Sequence, residues 1–219
     1  VQKVVDHDTY KEVVTEDKTY QGKSVIVATG CVHRKLGVPG EESFAGRGVS
    51  YCAVCDGAFF RNKKLLVLGG GDSAVEEAIY LTQFASEVMI VHRRDALRAQ
   101  KVIQDRAFAN DKITFMWDYV VEEIQGNEMV VTGAKIKNVK TGETHIEDCN
   151  GLFIYVGLEP LSEPVKALGI TNEAGWILTD DQMRTTIPGI FAIGDGREKT
   201  LRQITTAVGE GGIAGQQVC

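Results

Sequence analysis

The sequence predicts an α/β protein in which one domain is inserted into another. A strand, a glycine turn, a helix and a second strand follow one another between residues 63 and 91. Strand, helix, strand in so short a span is a βαβ unit, which makes the sheet parallel. Three β-like runs, a meander, then occupy Val120 to Val156, separated by Gly126-Asn127 and Thr141-Gly142. Gly/Pro punctuation brackets the block, at 34–50 and at Gly157-Leu158-Glu159-Pro160. Residues 36–158 are thus expected to form one domain, and 1–35 with 159–219 the two parts of another.

The elements follow in order. Residues 1–30 alternate short β-like runs with polar turns, at Val1–Val5, Tyr10–Thr15 and Ser24–Ala28. Lys63–Gly69 is a continuous apolar strand. Ser73–Phe84 reads as a helix, with Val75, Ala78, Ile79 and Thr82 on one stripe. Glu87–Val91 is a second buried strand, and Trp176–Thr179 and Ile190–Ile193 are further strands. Gly209–Gly215 opens a last helix. No repeat at solenoid periods is visible.

Composition narrows the function classes. In 219 residues, Lys+Arg 24 against Asp+Glu 30 gives a net charge of −6. That charge argues against a sequence-independent nucleic-acid binder or an anionic-membrane binder. No apolar run approaches the ~20 residues that span a bilayer, and no signal peptide opens the chain. The five Cys are an odd number spread thinly, unlike a secreted disulfide framework. A soluble, cytoplasmic, globular protein is expected. The chain has no initiator Met and stops at Gln217-Val218-Cys219 inside a helix-like run, so it is also expected to be a fragment.

Leu65-Leu66-Val67-Leu68-Gly69-Gly70-Gly71-Asp72-Ser73-Ala74 is G-x-G-x-x-A between a strand and a helix. Gly69 permits the tight turn, Gly71 lets a pyrophosphate approach the backbone, and Ala74 lets helix and strand pack closely. The helix start offers free N–H groups to the anion. A Rossmann-like dinucleotide-binding domain is therefore expected. An NAD site wants an acidic residue at the end of the second strand. Here that strand ends His92-Arg93-Arg94, with Arg98 one turn on. Guanidinium groups suit a 2′-phosphate, so NADPH is favoured over NADH. Asp95 is a competing ribose acceptor, but it lies beyond the strand edge.

Tyr51-Cys52-Ala53-Val54-Cys55-Asp56-Gly57 carries C-x-x-C. Two thiols at this spacing close a disulfide reversibly. Zinc needs four ligands, and no second C-x-x-C or paired His supplies them, so no metal is expected. Asp56 is a carboxylate placed where thiol–disulfide exchange must deliver or remove a proton. A helix-capping Asp is the alternative reading of that residue. Cys31, Cys149 and Cys219 read as small hydrophobes, and His7, His33 and His145 as surface residues.

The set Cys52–Gly57, Gly69–Ala78, His92-Arg93-Arg94, Ala28-Thr29-Gly30, Gly189–Asp195 and Arg202-Gln203 resembles the low-molecular-weight, bacterial-type thioredoxin reductases, in the family's order along the whole chain. The resemblance implies a two-dinucleotide-binding-domain flavoprotein, with a Rossmann-like NAD(P)-binding domain inserted in a partial FAD-binding domain. It implies a hydride passing from NADPH to FAD, then two electrons to the Cys52–Cys55 disulfide and on to thioredoxin. Cys55 would face the flavin, Cys52 attack the partner's disulfide, and Asp56 supply the proton. Gly69, Gly71, Asp72, Ser73, Ala74, His92, Arg93, Arg94 and Arg98 would hold NADPH. Ala28, Thr29, Gly30, Gly194, Asp195, Arg202, Gln203 and Ala207 would hold FAD. A homodimer is implied, as is a rotation of the NADPH domain about hinges near 36–48 and 157–160.

The chain departs from the family in lacking the first G-x-G-x-x-[GA] segment, and in Gly196-Arg197 after Asp195. The flavoprotein subunit of an alkyl hydroperoxide reductase shares this core, but its pair is usually C-P-x-C, and Ala53 stands here. A non-catalytic NADPH-binding module is the alternative from a different class, and a zinc-stabilised interaction domain a third.

Overall fold

A computed structural model describes residues 1–218; Cys219 lies outside the described residues. The chain divides into two compact units, residues 1–32 with 158–219, and residues 33–157. The first stretch holds β1 (Lys3–His7), β2 (Tyr10–Val14), β3 (Thr19–Gly22), β4 (Val25–Val27) and β5 (Cys31–His33). The middle stretch holds β6 (Val49–Ser50), α1 (Ala53–Asp56), β7 (Lys64–Leu68), α2 (Asp72–Leu81), β8 (Glu87–His92), α3 (Lys101–Phe108) and β9 (Ile113–Trp117). It continues with β10 (Tyr119–Gly126), β11 (Val131–Asn138), β12 (Thr144–Asp148) and β13 (Gly151–Ile154). The last stretch adds β14 (Leu158–Pro160), β15 (Ile190–Ala192) and α4 (Ile204–Val218).

In the middle unit, a parallel sheet runs in the order β6-β13-β7-β8-β9. Its central strands β13 and β7 are buried on both faces, which is why Leu65–Leu68 and Leu152–Ile154 are continuously apolar. On one face Leu65, Val67 and Ile90 pack with Val75, Ala78 and Leu81 of α2 and Ile103 and Ala107 of α3. On the other, Leu66, Leu68, Val91 and Leu152 pack with Val121, Ile124 and Ile136 of the antiparallel sheet β10-β11-β12. The apolar stripe of α2 ends at Leu81, where the N–H groups of Thr82, Gln83 and Phe84 bond three residues back. That tightening ends the helix short of the expected Phe84.

In the other unit, β1-β2-β3 form an antiparallel sheet and β15 pairs in parallel with β4, so residues far apart in sequence share one core of Val4, Val27, Val165, Ile170, Ile177 and Ile190. Three expectations change. The third meander run divides in two, β12 staying in the antiparallel sheet while β13 enters the parallel one. Residues 176–179 form no strand, because Ile177 makes only isolated bridges to Thr171 and Arg197. The last helix begins at Ile204, before its glycines. No helix of the described residues is long and apolar enough to cross a membrane.

Candidate functional site

The turn after β7 is built around Gly69, whose φ of +145° is left to glycine. A Cβ there would stand 2.5 Å from the Tyr155 carbonyl oxygen and 2.8 Å from Ala74 Cβ, so Gly69 and Ala74 together set the close helix–strand packing. A Cβ at Gly71 would meet nothing within 4 Å. Gly71 is the N-cap of α2, and no side chain caps that helix start. The first-turn amides therefore point at open space beside a glycine, as an anion requires.

Beside this turn lies a cavity of about 370 Å³. Gly69, His92, Arg93 and Arg98 line it, as do Tyr119, Tyr155 and, from the segment after β5, Arg34 and Lys35. Arg98 is brought there by its own backbone, since the Arg98 and Ala99 N–H groups donate to the Gly70 carbonyl at 2.7 and 3.2 Å. The Asp72 carboxylate is turned away, accepting from Gln100 N at 2.7 Å and Nε2 at 3.2 Å. Ser73 is exposed. Gly71, Asp72, Ser73, Ala74 and Arg94 are not among the lining residues. Asp95 is exposed and faces Lys140 Nζ at 3.5 Å, and it is not among the lining residues.

His92 is a floor. Its ring is 5% exposed and lies under Gly70, where a Cβ would stand 2.5 Å from Nδ1. Burial, and then the charges of Arg98, Arg94 and Arg93, hold its pKa below the usual imidazole range, so the ring is neutral at pH 7. Gly70→Ala is expected to overpack this contact at about 1–3 kcal/mol. It would lower the melting temperature and weaken dinucleotide binding in a fluorescence titration; unchanged values of both would refute the floor role.

The cysteine pair stands at the C-terminal end of β6, in the same unit. Cys52 and Cys55 are joined in a disulfide with Cα atoms 5.3 Å apart. Cys52 is the N-cap of α1, and its Sγ accepts the Cys55 N–H at 3.2 Å. Cys55 is exposed and Cys52 half-buried. The Asp56 carboxylate accepts from Ser50 Oγ at 2.7 Å. Tyr155 links the pair to the cavity that it lines, because its hydroxyl accepts the Ala53 N–H at 2.8 Å. Burial, and then the Glu77 carboxylate, push the Tyr155 pKa up, so the phenol keeps its proton. Tyr51 Oη donates to Glu41 at 2.6 Å, and that buried carboxylate also accepts the Leu36 and Gly37 N–H groups.

Sequence reasoning missed Ser50, Glu41, Tyr155 and Arg34. Tyr155 follows a short apolar run, Gly151–Ile154, that reads as part of the meander and leaves its sheet open. Cys149 is buried, and burial pushes its thiol pKa up to about 12. Cys31 is half-buried and its pKa is also raised, by burial first and then by Asp195.

In the other unit, Gly30 and Gly194 take φ of +71° and +72°. A Cβ at Gly196 would stand 3.1 Å from the Gly30 carbonyl oxygen, so the turns after β4 and β15 meet backbone to backbone. Asp195 Oδ1 is buried and makes no hydrogen bond, with Lys199 Nζ 3.7 Å away. Glu210 anchors this corner, accepting the Gly194 N–H at 2.6 Å and pairing with Arg197 and Lys199. Arg202 lies over Trp176, 3.9 Å from the ring centroid, and donates to the Asp195 and Arg197 carbonyls. Ala28, Thr29, Gln203 and Ala207 lie on the same two turns and the start of α4. A buried carboxylate oxygen that accepts no hydrogen bond, beside two glycine turns, fits a hydroxyl-bearing dinucleotide.

A parallel-sheet module with a cavity beside a G-x-G-x-x-A turn and a disulfide tied to it has the layout of a disulfide oxidoreductase. Comparison with known proteins makes this specific. A family model described as pyridine nucleotide-disulphide oxidoreductase matches residues 1–211. Thioredoxin reductase of Listeria monocytogenes is 57% identical over 216 residues, 99% of this chain and 68% of that protein. Thioredoxin reductase of Bacillus subtilis is 54% identical over 218 residues, 100% of this chain and 69% of that protein. The crystal structure of thioredoxin reductase from Streptococcus pyogenes superposes with a TM-score of 0.92 at 65% identity, over 99% of this chain and 71% of that one. The chain belongs to the pyridine nucleotide-disulphide oxidoreductases and, within them, to the bacterial-type thioredoxin reductases. The family implies a flavin and a pyridine nucleotide.

Proposed function

We propose that this chain's site passes reducing equivalents from NADPH through the Cys52–Cys55 disulfide to oxidised thioredoxin, in the cytoplasm and as the homodimer that the family resemblance implies. The observation that carries the reading is Tyr155, which lines the nucleotide cavity and holds the redox helix with one side chain. When bound, NADPH supplies the hydride and FAD relays its two electrons. The pyrophosphate is received at Gly69, Gly71 and the uncapped start of α2, with Ala74 closing the packing behind it. Arg93 and Arg98, which line the cavity, would take the 2′-phosphate, and Arg94 would contribute its charge from outside the lining. His92 supports the turn, and Asp72 fixes the loop that carries Arg98. Asp195 would hold the flavin's ribityl chain, with Ala28, Thr29, Gly30 and Gly194 shaping the turns and Arg202, Gln203 and Ala207 completing the set that would hold FAD.

At the disulfide, Cys52 is the sulfur that attacks the partner, Cys55 the one that resolves, and Asp56 the proton donor to the sulfur released. The Cys55 N–H at Cys52 Sγ supports this order, since a donated N–H favours the thiolate. The test is NADPH consumption by the flavin-supplied chain with oxidised thioredoxin, the thiols being counted with an aromatic disulfide. One NADPH per two thioredoxin thiols is expected. NADPH consumed without thioredoxin thiols overturns the reading.

A further inference from the structure

We propose that Ser50 is a positioning residue of the redox centre, fixing the Asp56 carboxyl group and the Cys52 backbone through one hydroxyl. The proposal rests on the reading of Asp56 as the proton donor and deepens it. Ser50 ends β6 and is 5% exposed, its backbone held in register with Phe153 of the parallel sheet. Its Oγ stands 2.7 Å from Asp56 Oδ2 and 3.1 Å from Cys52 N. The Cys52 amide can only donate, so Oγ accepts there. The single hydroxyl proton then has two acceptors, Asp56 Oδ2 at 2.7 Å and the Cys52 carbonyl at 3.4 Å. The shorter, carboxylate acceptor takes it.

With donor and acceptor both committed, the hydroxyl cannot turn without losing a bond in a buried place. The Asp56 backbone is held as well, its N–H donating to the Cys52 carbonyl at 3.1 Å. The direction of the carboxyl group is therefore set by a sheet strand, where a free Asp side chain would choose among rotamers.

The step it serves balances as follows for a small dithiol. A reductant thiol passes its proton to the Asp56 carboxylate as its sulfur bonds to one Sγ, the Cys52–Cys55 bond breaks, and the other Sγ leaves as a thiolate. That thiolate takes the proton of the Asp56 carboxyl group and leaves a carboxylate, the acceptor at which the Ser50 hydroxyl points. The reductant's second thiol then displaces the first Sγ, closing its own disulfide and giving up its proton to that sulfur. Two electrons and two protons have moved from the reductant to the chain.

The experiment is the rate of reduction of Cys52–Cys55 by dithiothreitol in the whole chain, read by alkylation and intact mass. The variants are Ser50→Ala, Ser50→Thr, Asp56→Asn and the Ser50→Ala/Asp56→Asn pair, with a thermal melt of each. Ser50→Ala is expected to slow the reaction about tenfold, the size of one hydrogen bond to a charged group. Ser50→Thr restores most of the rate, because it restores the hydroxyl. In the Asp56→Asn background Ser50→Ala adds nothing, since the residue through which it acts has changed. A Ser50→Ala rate equal to the wild type overturns the proposal and leaves the Asp56 reading standing. So does an effect that is additive with Asp56→Asn, or one that Ser50→Thr fails to rescue. An Asp56→Asn rate equal to the wild type removes the Asp56 reading, and the proposal with it.

Discussion

Cys55→Ser is expected to hold thioredoxin on the chain as a stable mixed disulfide, whereas Cys52→Ser captures none; both lose NADPH-dependent turnover completely. The asymmetry follows from α1. Cys52 Sγ accepts the N–H of residue 55, and that N–H survives when the side chain becomes serine. The Cys52 thiol thus keeps the bond that favours its thiolate, and the thiolate is the attacking species. Without the Cys55 thiol nothing resolves the bond it forms. In Cys52→Ser the remaining thiol is the more exposed one, but no such N–H donor to it is seen. A non-reducing gel with intact-mass readout decides. Capture by Cys52→Ser alone would exchange the two roles.

The second large effect concerns nucleotide choice. Arg93→Ala with Arg98→Ala is expected to narrow the NADPH-over-NADH affinity gap about a hundredfold or more, as two charge-assisted contacts of about 1.5–3 kcal/mol each would. Both arginines line the cavity, while Arg94 does not. Arg94→Ala alone is expected to leave most of the preference in place, reducing it through long-range charge that salt screens. Binding titrations with both nucleotides at two salt concentrations separate these outcomes. An unchanged preference in the double variant would remove the 2′-phosphate assignment. Its collapse in Arg94→Ala alone would move the assignment to that residue.

The sequence made the chemistry of the middle unit legible where spacing is the mechanism. The G-x-G-x-x-A turn, the C-x-x-C and the arginines after β8 are local signals, and the structure brings Gly69, His92, Arg93 and Arg98 around one cavity. What stayed hidden depends on distant partners. Ser50 closes the Gly/Pro punctuation at 34–50 and shows no role until Asp56 folds back onto it. Glu41 lies in the same punctuation and shows no role until two backbone N–H groups and Tyr51 close around its carboxylate. Tyr155 was lost with β13, because a short apolar run beside a meander gives no sign of which sheet it joins. The turn residues between β12 and β13, Cys149 and Asn150, carry the answer only through a contact, the Asn150 side chain accepting the N–H of Lys64, the first residue of β7.

The position of β13 also bears on how the protein is made. It lies between β6 and β7 in the parallel sheet, yet it is the last strand of its unit to emerge in chain order. Until residue 154 is synthesised, β6 has no neighbour and β7 presents an open edge of unpaired amides and carbonyls. At about 5–20 residues per second this open edge persists for several seconds on the ribosome, a window in which an apolar strand invites foreign pairing. Closure then joins segments far apart along the chain, the kind of contact that folds slowly. The nascent chain, more than the finished protein, is where this sheet is vulnerable.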